Sequence, residues 1–161
     1  MTTEFMRDLL SKDEKITVEY KTCQFGIQED VYETVCSFSN RYGGYIIMGA
    51  EDDGTPIGVK QNMVKDMKRN FVNQLNNPDK MSPTLYLSIE DFEYEGKVLL
   101  WVYVPPTATV EKCGNRIYDR NEDGDMDITD SPIQLQNMYN RKSTTYAEHK
   151  IFPYVTKEDL C

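Results

Sequence analysis

The stretch that most constrains this chain is residues 43–50, Gly-Gly-Tyr-Ile-Ile-Met-Gly-Ala. Tyr45 to Ala50 form a continuous apolar run, which describes a strand buried on both faces. The two glycines before it give the backbone freedom needed where a helix ends and the chain turns sharply. Upstream, Ile27, Val31, Val35 and Phe38 recur at helical spacing, marking one face of a helix that reaches about Arg41. A helix leading through a glycine pair into a buried strand calls for a layered α+β domain.

The flanking pattern fills in the layers. Residues 3–11 read as a short helix with Phe5, Leu9 and Leu10 on one side, and 16–21 alternates as a half-buried strand does. Glu51-Asp52-Asp53-Gly54 is turn chemistry, and Thr55–Val59 returns as a short strand. Residues 61–76 are amphipathic, with Val64, Met67, Phe71 and Leu75 inward, and Asn76-Asn77-Pro78 stops that helix. Leu85–Tyr94 and Lys97–Val104 form a hairpin across Glu95-Gly96, Asn115–Tyr118 reads as an edge strand, and Ile133–Tyr139 as a short helix. The expected architecture is α+β, a mixed β-sheet of about five or six strands with flanking helices. Residues 1–130 form the domain. Residues 131–161 form a C-terminal helical extension, with a helix start at Thr156, leading into a longer protein.

Composition bears on partners and compartment. At 161 residues and 39% apolar, the chain can bury a core. No apolar run approaches the ~20 residues that cross a bilayer, and no basic-then-apolar leader opens the sequence. The expectation is a cytoplasmic domain without membrane contact. Cys23, Cys36, Cys113 and Cys161 lack paired spacing and His149 is the single histidine, so the cysteines read as reduced and structural. No GxxxxGK[ST] loop occurs, so there is no ATPase signature. The net charge is −9, of which residues 119–130 carry −5. That balance weighs against a nucleic-acid partner, although local basic groups decide the matter.

Val18-Glu19-Tyr20-Lys21, the helix end Cys36-Ser37-Phe38-Ser39-Asn40-Arg41-Tyr42-Gly43-Gly44, the strand and turn through Gly54, and Ile57-Gly58-Val59 together resemble the Schlafen-type AlbA domain. The similarity spans roughly residues 10–125. Tyr20 stands where the family has Phe, Ser37 and Ser39 where it has Ala, and Ala50 where it has Val. The resemblance implies an α+β fold and the DNA-binding domain of a bacterial transcriptional regulator, commonly placed before a winged-helix region. DNA is the expected partner rather than RNA, and a homo-oligomer is compatible with this reading.

Lys21, Arg41, Arg116, Arg120, Arg141 and Lys142 are the candidates for phosphate contact, either as a sheet-edge cluster or as scattered surface charge. Glu14, Glu19 and Asp52 form an alternative constellation. If their strands pair, three carboxylates could converge on one sheet end and hold Mg²⁺ or Mn²⁺. Some Schlafen proteins are RNA endonucleases with two glutamates and an aspartate in matching segments, so the resemblance also admits a metal-dependent endoribonuclease. Solvated acids explain the same three residues. Finally, Asp119, Asn121, Asp123, Asp125, Asp127 and Asp130 fit a Ca²⁺-loop spacing with Gly124 at the turn, although a strand rather than a helix precedes them. On that pattern the chain would be an acidic interaction module for Ca²⁺ or a basic partner.

Overall fold

Strand β2 (Gly44–Met48) lies inside a four-stranded sheet of order β1-β2-β5-β4. β1 (Val18–Lys21) runs parallel to it, with Glu19 opposite Ile46, and β5 (Lys97–Val104) runs antiparallel on its other side, with Tyr45 opposite Tyr103. β4 (Ile89–Tyr94) completes the sheet as the other arm of the Glu95-Gly96 hairpin. The computed structural model describes residues 1–12 and 16–144, so Glu14, His149, Thr156 and Cys161 lie outside the described residues.

Side-chain alternation divides the sheet into two faces. Ile46, Met48, Leu100, Val102 and Val104 pack beneath α2 (Asp30–Asn40) and α3 (Val64–Leu75), the latter entered through a 3₁₀ turn at Gln61–Met63. Val18, Tyr20, Ile47 and Leu99 face the other way and meet α1 (Thr3–Leu10) through Met6, Leu9 and Leu10. Thr2 caps α1, its Oγ1 accepting from Phe5 N–H at 3.0 Å. Replacing Thr2 with alanine is expected to cost about 1 kcal/mol of α1 stability, read as faster amide exchange confined to that helix.

α2 is buried almost all round, because two ribbons cover the side turned away from the sheet. One pairs β3 (Met81–Ser82) with β6 (Lys112–Cys113), and the other pairs β7 (Tyr118–Asn121) with β8 (Gly124–Asp127). A helix over 132–144 follows, and its Met138 packs on Ile117 and Ile128 beside the second ribbon.

The expected mixed α+β fold is therefore present, with its strands divided between a principal sheet of four and two ribbons of two. Thr55–Val59 makes a single bridge, Ala50 with Pro56, since proline has no N–H to continue a ladder. The expected strand at 115–118 begins only at Tyr118. Before it, Arg116 turns back onto Cys113 around Gly114, whose φ is 61°. Gly43 and Gly44 fulfil the tight-turn reading. At Gly43, φ is 74° and a Cβ would lie 2.5 Å from the carbonyl oxygen of Val104; at Gly44 it would lie 2.6 Å from that of Thr17. Only glycine lets these backbones approach so closely.

Candidate nucleic-acid interface

Arg120 is 1% exposed and organises the free edge of β1. The carbonyls of Thr17 and Lys21 accept from Tyr45 and Gly49 in and beyond β2, which turns those of Ile16 and Val18 outward. Arg120 donates to both, from Nε at 3.3 Å and from Nη2 at 3.4 Å. The same guanidinium pairs with Asp125 at 2.9 Å and Glu19 at 3.3 Å, and lies over the Phe38 ring. Asp125 also accepts from the hydroxyls of Thr34 and Ser37 on α2. Glu19 extends the chain of charges to Lys21, and Lys21 to Asp30. Burial works against the Lys21 ammonium, but hydrogen bonds and charge from Asp30 and Glu19 outweigh it and leave its pKa raised.

The C-terminal end of α2 gathers a second set. Arg41 grips the buried Asp119 with both arms, Nε at 3.0 Å and Nη2 at 2.7 Å. Arg141, from the helix over 132–144, reaches the same carboxylate at 3.6 Å and donates to the carbonyl of Asn40 at 2.8 Å. The hydrogen bonds that Arg41 donates to Asp119 raise the pKa of Arg41, whereas burial and then the neighbouring Arg41 charge lower that of Arg141. Two partly exposed guanidiniums thus share one carboxylate and leave an excess of positive charge at this corner. Beside them Tyr42 is exposed, with the Arg41 guanidinium 5.8 Å from its ring centre.

Beneath the corner the network is internal. Asn40 donates from Nδ2 to the carbonyls of Glu111 and Tyr118, each at 2.9 Å, and accepts from Glu111 N–H at 2.8 Å. Lys142 donates to the carbonyls of Ser39, Thr107 and Thr109 and to the Thr107 hydroxyl, all between 2.8 and 3.0 Å. Burial pushes the Lys142 ammonium down to about 8 and the fully buried Glu111 carboxyl up to about 8.

This arrangement of strand, glycine turn and surrounding ribbons can be set beside known proteins. Residues 14–129 match the family model "Schlafen, AlbA_2". The chain belongs to the Schlafen AlbA_2 family. Among solved structures, this AlbA_2 chain is similar to the N-terminal domain of a RecG-related protein, described as a candidate ATP-dependent DNA helicase, from Nitrosomonas europaea. The two share 27% identity with a TM-score of 0.52, over 65% of this chain and 72% of that one. The DIP2311 protein from Corynebacterium diphtheriae shares the fold at 16% identity and a TM-score of 0.56, over 78% of this chain and 29% of its own. None of the curated proteins compared with the chain matches it.

The residues singled out by sequence occupy distinct places in the AlbA_2 domain. Arg120 and Lys142 lie inside, each holding backbone oxygens, because guanidinium and ammonium groups can serve as multiple donors where a chain leaves carbonyls unpaired. Lys21 is largely covered and paired with Glu19 and Asp30, and Arg116 is paired with Asp127 and Asp130. Arg41 and Arg141 come together at the α2 corner. Glu19 faces the α2 side of the sheet and is bound to Arg120, while Asp52 stands exposed on the turn after β2. The 119–130 segment is a hairpin and its turn, with Arg120 opposite Asp125. Asp119, Asp125, Asp127 and Asp130 are committed to arginines, Asn121 and Asp123 lie at the turn, and Asn121 accepts from Asp123 N–H. Among the described residues no group of three or more His, Cys, Asp or Glu side chains is placed to hold a metal ion. Nor is any described helix long and apolar enough to cross a membrane.

A surface the sequence reading passed over is the outer half of the principal sheet. α1 covers β1, β2 and Leu99 of β5 but leaves the outer part of the β5–β4 half open, with Tyr103 exposed and Trp101 and Phe92 half-buried. There Tyr45 and Tyr103 pair at 5.0 Å between ring centres, and Trp101 lies 6.2 Å from Tyr45. Two grooves, of about 630 and 360 Å³, share Tyr103 as a wall, and Tyr42 lines the smaller. The available signal was Trp101 and Tyr103 at positions i and i+2 of β5, which puts both rings on one face.

Proposed function

We propose that this AlbA_2 domain binds nucleic acid, DNA in the setting of a transcriptional regulator, and grips the sugar–phosphate backbone at the corner made by Arg41 and Arg141. The observation that carries this reading is the sharing of Asp119 by both guanidiniums. Lys21, Arg116 and Arg120 each pair with two carboxylates, whereas here two planar donor forks meet one acceptor. The surplus charge suits a phosphate, which guanidinium binds well in bidentate geometry. Membership of the AlbA_2 family and the likeness to the RecG-related domain support the same class of ligand.

Contacts of this kind position a duplex or a strand without reading its sequence. The test is fluorescence anisotropy of a labelled DNA over a range of salt. Affinity should fall as salt rises, and replacing Arg41 and Arg141 together with alanine should weaken binding for every sequence. The same double replacement should reduce the logarithmic salt slope by about 2, roughly 1 for each phosphate no longer neutralised. No binding at low salt, or a double variant with an unchanged slope, would overturn the reading.

A further inference from the structure

We infer that the open half of the sheet is a stacking platform for unpaired nucleobases, so that the strand held at the Arg41–Arg141 corner is single-stranded over this face. The inference deepens the nucleic-acid reading above and rests on it. Three features of the surface lead to it. The first is composition: half-buried Tyr45 and Trp101 and exposed Tyr103 form a continuous aromatic patch, with half-buried Phe92 beside Trp101 and Tyr86 85% exposed at the rim. Aromatic faces left accessible on a sheet bind base faces with little regard to sequence, because every base offers a π-surface.

The second feature is continuity. The smaller groove runs from Tyr45 and Tyr103 to Tyr42, and the guanidinium of Arg41 lies against the Tyr42 ring. A strand whose phosphates sit at the arginine corner would therefore carry its next bases onto Tyr42 and Tyr103. The third is charge. Glu90 borders the larger groove with no basic side chain among the residues lining that groove, whereas Asp8 at the smaller is paired with Lys12 and Asp91 is held by Lys68. The Glu90 carboxylate repels a phosphate rail of a duplex laid across the sheet. It does not oppose neutral bases, whose phosphates can stay at the corner or in solvent. A duplex in any case hides its base faces in its own stack.

Trp101 is the only tryptophan in the chain, so its emission reports this face directly. The experiment titrates the full 161-residue chain with an oligothymidylate of about 12 nucleotides, within the ~4–16 that such platforms cover, and with a duplex of equal length. Labelled versions are followed by anisotropy in parallel. The expected result is quenching of Trp101 by the single strand and not by the duplex. Tyr103→Ala should weaken single-strand binding by roughly ten-fold or more, and Tyr103→Phe should restore it, since stacking needs the ring and not the hydroxyl. Anisotropy that reports binding of both nucleic acids while Trp101 emission stays constant would overturn this inference and leave the arginine corner standing. Absence of binding to either would overturn both readings. Quenching that depends on protein concentration alone, accompanied by a dimer in sedimentation, would overturn the inference in favour of a second copy of the chain on this face.

Discussion

Replacing Arg120 with alanine is expected to lower the stability of the domain by about 3–5 kcal/mol, the range found when one member of a buried ionic group is removed. The loss would take a large share of the ~5–15 kcal/mol that a domain possesses. The reason is the number of groups left behind. The carboxylates of Glu19 and Asp125 lose their common partner while largely shielded from water, and the outward carbonyls of Ile16 and Val18 lose their donors. Each abandoned buried acceptor carries a desolvation cost of its own. Lysine would not substitute, because one ammonium cannot present a planar fork to acceptors on β1, on β8 and in the turn before β1. Urea unfolding followed by circular dichroism checks this. A midpoint within experimental error of the parent would reject the account of Arg120 as the organiser of that edge.

Replacing Glu111 with leucine is expected to act in the opposite direction and stabilise the domain by about 2–3 kcal/mol near neutral pH. Both oxygens of this carboxyl are buried with no hydrogen-bond partner among the described residues. Burial holds it protonated in the folded protein up to about pH 8, whereas in the unfolded chain it ionises near the ordinary value of about 4.3. Between those two values folding takes up a proton, so the contribution of this group is fully favourable below the lower value and declines as pH rises towards the upper one. The slope is about 1.4 kcal/mol per pH unit for one proton. Above about 8 the sign reverses, because Lys142 releases its proton in the folded state while the unfolded chain retains it. Urea midpoints measured over about five pH units, from about 5 to about 10, should pass through a minimum near 8. In the leucine variant the descending limb should flatten. A descending limb of unchanged steepness would assign the proton to another group.

Much of the fold was legible because periodicity is local. The apolar run at β2, the helical spacing of Val31, Val35 and Phe38, and the Glu95-Gly96 hairpin are all written in neighbouring residues. The ribbon of β3 and β6 was not, since each strand is two residues long and the partner lies across the whole of the β4–β5 hairpin. The acidic segment shows a more instructive ambiguity. Oxygen ligands of a calcium loop fall at alternate positions, and side chains of a strand alternate with the same period of two. Asp125 and Asp127 therefore fit both patterns, and only the arginines facing them distinguish the hairpin. The basic candidates were equally undecidable by residue type. Arg41 and Arg120 look alike in the chain, yet one is a partly open corner and the other is walled in by β1, α2 and β8. Asn40 matched the helix-end motif, but its hold on Glu111 and Tyr118 depends on segments about seventy residues away.

The dependence of β1 on Arg120 also sets an order of events on the ribosome. The first strand emerges early, yet the side chain that closes its outer rim arrives a hundred residues later, 101 positions after Glu19. Until then the nascent polypeptide presents an unguarded row of carbonyls and amides to whatever neighbour is at hand, the situation in which strands recruit strangers. Final closure of the sheet must therefore await the last hairpin, and a chain released before that hairpin would be sticky however complete its other layers were.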